Sequence, residues 1–244
     1  MSGSRRALSH AGLIRQYSRN ANTRIHHLHG GTEYGPDKQK DQFSGGQHYR
    51  RGRHKRTGKY NLNVIKAECN LAEARNYGIS CTRIARQADE FEYGHPFCDR
   101  YKSMDDDADS IVIFGGTNDY GHGTAPIGAF EDRSEDTYYG AWHVLLRGLM
   151  EKYPRATIVA MTPLHRHDED TPSPGNGKPL KTYRGIIKEV CEYYAVPVLD
   201  LYAMSGIQPR VPILREIYMP DGLHPSDEGN RLIASRLIGF LKAL

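Results

Sequence analysis

From about residue 64 onward, hydrophobic and polar positions follow two regular patterns. Three short apolar runs rich in β-branched residues are typical of buried strands, at residues 110–114, 156–161 and 196–201. Apolar residues at helical spacing predict helices near 142–150 and 183–194, and a last helix that begins at Ser226. A further helix ends near residue 71 and leads into a short strand before residues 76–78. Strands alternating with helices predict a parallel sheet covered on both faces.

Two segments interrupt this order. Residues 164–181 are rich in proline and glycine, which predicts a long loop at the rim of a site. Residues 1–60 show no sustained period and contain only 14 apolar residues, about 23%, against about 43% in the rest of the chain. We therefore expect an irregular segment over 1–60, with too little apolar surface for a core, and one α/β domain over 61–244.

The charges divide at the same boundary. The first sixty residues hold 13 Lys and Arg against 3 Asp and Glu, a net charge of +10, while the remainder carries a net charge of −6. The overall charge of +4 is therefore the sum of two unlike parts and is not evidence for an acidic partner.

Composition also excludes several classes of protein. No apolar run reaches the roughly 18–20 residues of a membrane-spanning helix, and the N-terminus lacks the apolar region of a secretory signal. The four cysteines are far apart in sequence, which favours reduced thiols in a cytoplasmic protein. The charged segment 165–170 contains metal-ligand types, but we expect it to be solvated, to hold no metal, and at most to shape the approach to a site. We expect no cofactor.

Candidate chemistry lies next to the predicted elements. The strand 110–114 runs into Asn118, whose amide can donate a hydrogen bond at the carboxyl edge of the sheet. Before the last helix, Asp221 stands three residues ahead of His224, where a carboxylate can hold the Nδ1–H of an imidazole and leave Nε2 as a general base. Each motif alone is also compatible with an ordinary turn.

Taken together, these motifs resemble those of the SGNH (GDSL-type) hydrolases. The matching segments are Gly-Thr-Asn-Asp at 116–119, Asp-Gly-Leu-His-Pro at 221–225 and Asn-Tyr-Gly-Ile-Ser-Cys-Thr at 76–82, in the order and spacing of that family. The resemblance covers about residues 64–244. It implies a three-layer α/β/α sandwich with a flavodoxin-like parallel sheet, and serine-dependent hydrolysis of a small ester with an acetyl or short acyl group.

The resemblance also implies roles for individual residues. His224 would be the base and Asp221 its orienting partner. Asn118 and a backbone N–H in the turn from Gly78 to Cys81 would form the oxyanion hole. The family usually has glycine where this chain has Cys81, so that position is expected to demand an unusual φ or to crowd the site.

The nucleophile of the family is missing from the chain as written. The resemblance implies a Gly-Asp-Ser block near Gln47, and none is present. Ser44 is the nearest imitation, but no apolar strand leads into it. Read one nucleotide downstream, codons for residues 43–51 can encode Phe-Leu-Gly-Asp-Ser-Ile-Thr-Glu-Gly. We therefore expect residues 1–60 to be an out-of-frame stretch, and the chain to be inactive and to lack the first strand.

Other interpretations of the first sixty residues stay open. They are a disordered basic tail or, less favoured, an arm that binds nucleic acid through its arginines. The chain could also be a binding protein of the SGNH fold that has lost its serine. We expect a small-molecule ester as partner, with neither nucleic acid nor a membrane, and the oligomeric state is left open.

Overall fold

A parallel sheet of five strands forms the centre of the molecule. The computed structural model describes residues 23–29, 58–88 and 95–244. The strands are β1 (Arg24–His29), β2 (Glu73–Asn76), β3 (Ser110–Phe114), β4 (Thr157–Met161) and β5 (Val198–Leu199), in the spatial order β2-β1-β3-β4-β5. This order is that of flavodoxin-like doubly wound sheets, which confirms the predicted fold class.

Helices cover both faces of this sheet. They are α1 (Gly58–Glu68), α2 (Phe97–Arg100), α3 (Thr117–His122), α4 (Tyr138–Lys152), α5 (Leu180–Tyr193), α6 (Leu201–Met204), α7 (Pro212–Tyr218) and α8 (Asp227–Ala243). Side chains of β3 alternate between two cores: Ile111 and Ile113 face α4 and α5, while Val112 faces α1 and α8. Both cores are closed, so the sheet is the middle layer of three.

The central strand β1 lies within the segment for which the sequence predicts no regular structure. It pairs with β2 on one side and with β3 on the other, so the expectation of an irregular segment lacking the first strand is wrong for Arg24–His29. Its apolar residues are only Ile25, buried on one face, and Leu28, fully buried on the other. Two apolar residues in six give too weak a pattern for recognition from sequence.

The predicted boundary at residue 60 also falls inside an element. Helix α1 begins at Gly58, and its buried Leu62 and Ile65 belong to the domain as expected. Residues 1–22 and 30–57 lie outside the described part of the chain. The domain boundary, and the out-of-frame origin of the first sixty residues, stay predictions.

Elsewhere the pattern of the sequence is followed closely. Strand β3 has the predicted bounds, and the Ser226 hydroxyl caps α8 by accepting a hydrogen bond from the Gly229 N–H at 3.1 Å. The strand expected over 196–201 has only two residues. It is short because the Asp200 carboxylate accepts from the Ala203 N–H at 3.3 Å and caps α6 instead. No helix among the described residues is long and apolar enough to cross a membrane.

Candidate active site

The sheet brings the ends of three strands to one edge. His27 of β1 is in register with Asn76, the last residue of β2, and His29 is in register with Phe114, the last residue of β3. Chain segments that leave these strands therefore begin side by side, as expected at the carboxyl edge of a parallel sheet. The turn at 76–82 follows β2, and the segment with Asn118 follows β3.

Asp221 and His224 form a hydrogen-bonded pair in the loop before α8. His224 Nδ1 is 2.5 Å from Asp221 Oδ2. Asp221 Oδ1 accepts from the backbone N–H of Leu223 at 2.8 Å and of His224 at 2.7 Å, while Gly222 between them has φ +80°. Because an ionised carboxylate only accepts, His224 donates from Nδ1, and its Nε2 is the basic nitrogen.

The surroundings of Asp221 keep its carboxylate ionised. Burial alone would raise its pKa, but the hydrogen bonds from the His224 ring and from the two backbone N–H groups outweigh burial and lower the pKa to about 2. The pair therefore stays charge-assisted at neutral pH.

Asn118 is buried at the start of α3 and is tied to the turn after β2. Its Nδ2 donates to the Thr82 carbonyl at 3.0 Å. The bond joins the two segments that the sequence assigns to the oxyanion hole.

The backbone donor expected from this turn has two candidates, Gly78 and Cys81, and their environments differ. The Gly78 N–H donates to Asn76 Oδ1 at 2.9 Å, so it is committed to the turn itself. Cys81 has φ +63°, a left-handed conformation that favours glycine, and its N–H meets no acceptor among the described residues. Cys81 is therefore the better candidate for the backbone donor.

The Cys81 thiol itself is a poor nucleophile in this position. Burial raises its pKa, and the nearby positive charge of Arg83 opposes the effect without cancelling it. The protonated thiol dominates at neutral pH, whereas the thiolate is the reactive form.

Asp119 has a structural role that the sequence did not reveal, although it lies inside the Gly-Thr-Asn-Asp motif. Its buried carboxylate accepts from the backbone N–H of Ile84 at 3.0 Å and of Ala85 at 3.2 Å. Burial raises its pKa to about 6, and the hydrogen bonds oppose this effect. Asp119 thus holds the chain after Cys81 against α3.

The segment after β4 connects α3 with the loop that carries His224. The Arg166 guanidinium donates to the Thr117 carbonyl at 3.2 Å and to Asp168 at 3.0 and 3.1 Å. The backbone N–H of His167 donates to the Gly222 carbonyl at 2.9 Å. The sequence predicts solvated charge here, which is wrong for Arg166, because its side chain is buried against the Tyr120 ring. It is also wrong for Glu169, whose buried carboxylate accepts from the Arg166 N–H at 3.1 Å.

The remaining predictions about the site concern the nucleophile and metals. Ser44 and the region near Gln47 lie outside the described residues. No group of three or more metal-ligand side chains occurs within the ranges that the structure describes.

The five-stranded parallel sheet with helices on both faces defines the class as a three-layer α/β protein with a flavodoxin-like sheet. The chain belongs to the GDSL-like lipase/acylhydrolase family, whose model matches residues 34–232. By family, the protein is an ester hydrolase.

Solved structures share the fold of this chain. One is 34% identical over 92% of this chain and 98% of its own, with a TM-score of 0.73. A protein from Lactobacillus plantarum is 26% identical over 91% and 98% of the two chains, with a TM-score of 0.70. A lipase/acylhydrolase from Enterococcus faecalis shares the fold at 18% identity, covering 91% and 96% of the two chains, with a TM-score of 0.55. No curated protein sequence matches the chain at a significant level.

Proposed function

We propose that this site is built to hydrolyse a small carboxylic ester with an acetyl or short acyl group. His224 is the general base and Asp221 its orienting partner. The observation that carries the proposal is the 2.5 Å hydrogen bond from His224 Nδ1 to Asp221. It selects the tautomer in which Nε2 can take a proton from an attacking hydroxyl group and later return it to the leaving alcohol.

The oxyanion of the tetrahedral intermediate is assigned to Asn118 Nδ2 and the Cys81 N–H. The hydrogen bond from Asn118 to the Thr82 carbonyl supports this assignment, because it keeps the amide next to the turn that contains Cys81. Removing a single donor of this kind typically costs about 3–4 kcal/mol of transition-state stabilisation.

The chain as written is proposed to be inactive, because its sequence contains no Gly-Asp-Ser block. The missing block favours a second candidate, a binding protein of the same fold without catalysis. The intact pair of Asp221 and His224 favours the hydrolase, since a protein that only binds has no need of an oriented base.

The test compares the chain as written with a chain in which the reading frame of residues 43–51 is shifted to encode the Gly-Asp-Ser block. Both are assayed on p-nitrophenyl acetate. We expect activity only in the restored chain, with a loss of about 10⁴-fold or more in its His224→Ala variant.

Two results would contradict the proposal. Equal, His224-dependent activity in the chain as written would show that its nucleophile is elsewhere. A folded but inactive restored chain would favour the binding protein. The nucleotide sequence through codons 36–66 tests the frame directly, because codons that cannot spell Gly-Asp-Ser exclude the shift.

A further inference from the structure

A cationic side chain lies against the loop that holds the His–Asp pair. Arg215 is a half-buried residue of α7, and its Nε donates to the Pro220 carbonyl at 3.3 Å. Its Cζ and Nη2 atoms come within 3.5 Å of the point where a side chain on Gly222 would begin. The guanidinium group therefore lies next to Gly222, the residue that directly follows Asp221 in the sequence.

His167 adds a second polar side chain next to Arg215 on the same side of the loop. Arg215 Nη1 lies 3.3 Å from His167 Nδ1, and because arginine can only donate, His167 accepts at Nδ1 and Nε2 is left as its donor nitrogen. The His167 backbone N–H is bonded to the Gly222 carbonyl at 2.9 Å, which fixes this residue against the loop. The two side chains supply neighbouring N–H donors.

The charge of Arg215 is not neutralised locally. Over the ranges that the structure describes, no carboxylate oxygen lies within 4.0 Å of its guanidinium nitrogens. The nearest acids along the two segments are engaged elsewhere, Asp221 with His224 and Asp168 with Arg166. Among the described residues, Arg215 is thus a positive charge without an ion-pair partner, next to the loop that carries His224.

We propose that Arg215, together with His167, binds a carboxylate carried by the substrate, so that the preferred esters are anionic. The inference rests on the proposed function, because it places the ester carbonyl at His224. A planar guanidinium group with free directions for donation matches the two oxygens of a carboxylate. The carboxylate belongs either to the acyl part or to the alcohol part of the ester.

A purely structural role for Arg215 makes a different prediction. If its only task were to position the loop through the Pro220 carbonyl, its loss would weaken binding of charged and neutral molecules to the same extent. A role in charge recognition changes only the preference between them.

The experiment measures binding of unreactive amide analogues to the full chain by titration calorimetry at low salt. Acetanilide is the neutral probe, 4-acetamidobenzoate has a carboxylate on the alcohol-equivalent part, and glutaranilate has one on the acyl part. We expect one anionic probe to bind about five- to tenfold more tightly than acetanilide, with a preference that falls as salt is added.

Variants identify the residue responsible. Arg215→Gln is expected to abolish the preference for the anionic probe over acetanilide, whereas Arg215→Lys retains part of it. Arg155→Gln is the matched control, since it removes the same charge from an exposed position just before β4, at the opposite edge of the sheet.

Equal affinity for all probes in the unmodified chain, or an equal loss for all of them in Arg215→Gln, overturns the proposal. The outcome is separable from that of the proposed function. Charge preference in a chain whose frame-restored form hydrolyses no ester refutes the hydrolase alone. Hydrolysis without charge preference refutes only the role of Arg215.

Discussion

Cys81 has a left-handed backbone conformation at a position where the family usually has glycine. It is one of three non-glycine residues described with positive φ, together with Asn70 and Ala195, and it occupies the turn that faces Asn118. A left-handed conformation costs an L-residue roughly 1–2 kcal/mol relative to glycine. The sequence anticipates this strain at Cys81, and the φ of +63° confirms it.

The first prediction concerns this strain. Cys81→Gly is expected to be more stable than Cys81→Ala by about 1 kcal/mol, because both variants lose the thiol and only glycine relieves the backbone. Urea denaturation followed by circular dichroism measures the difference. An alanine variant as stable as the glycine variant would mean that the turn is not strained.

At the scale of elements, β1 is the least expected part of the sheet. Four of its six residues are arginine or histidine, yet it pairs on both sides. The buried His26 ring packs 5.0 Å from the Tyr77 ring and lies 3.2 Å from Arg75, so it is held by aromatic and polar contacts. Burial and the charge of Arg75 lower the pKa of His26, which keeps it neutral inside the sheet.

The second prediction tests whether β1 contributes to the core. Leu28 is fully buried in the core against α4 and α5, so Leu28→Ala is expected to lower the free energy of unfolding by about 2–5 kcal/mol. Leu244→Ala is the control, because that side chain is exposed and its loss should be nearly neutral. If the two variants were equally stable in urea, a segment other than β1 would occupy the central position of the sheet.

The element that follows β4 has a comparable role. Arg166 and His167 join α3 to the loop with His224 by hydrogen bonds to Thr117 and Gly222. These contacts connect positions about fifty residues apart, so no local sequence pattern predicts them. The sequence correctly places a long loop here, but its charges are partly buried supports of the candidate site.

At the scale of the whole molecule, ionised groups in the sheet edges make stability depend on pH. Asp200 follows β5 and accepts hydrogen bonds from Thr162 at 3.0 Å and from Arg184. Burial would raise its pKa, but these bonds and the charge of Arg184 lower it to about 2, below the usual value of 3.8. This stabilisation is complete above the unfolded pKa and is lost as pH falls through the folded pKa.

The third prediction follows from the lowered pKa of Asp200. Asp200→Asn is expected to lower the free energy of unfolding by about 2 kcal/mol at pH 7, and the difference from the unmodified chain should shrink between pH 4 and pH 2. Thermal unfolding across this range measures it, with Asp136→Asn at an exposed position as control. A difference independent of pH would show that the ion pair is not its source.

The contribution of Asp119 to stability should change with pH in the direction opposite to that of Asp200. Its pKa is raised to about 6, so the folded state binds the proton more tightly than the unfolded chain. Its contribution is therefore most favourable below about pH 4 and is lost as pH rises through about 6. Taken together, the contributions of these two carboxylates are greatest near about pH 4, where neither has yet been lost.

Local patterns in the sequence were sufficient for much of this protein. The apolar run of β3, the helical spacing of α4, α5 and α8, and the Ser226 cap depend on neighbours within a few residues, and the structure confirms them. The contact between Asp221 and His224 is also local, since three residues of loop bring the two side chains together.

Tertiary structure decided the rest, because it depends on residues far apart in the chain. Strand β1 could be identified only from the assembled sheet, because its two apolar residues pack into different cores, one on each face of the sheet. Likewise, the support of the turn by Asp119 and the position of Arg215 beside His167 arise from packing of separate segments. The sequence by itself determined the class of fold and the residues of the candidate dyad, while the three-dimensional arrangement decided which groups lie beside them.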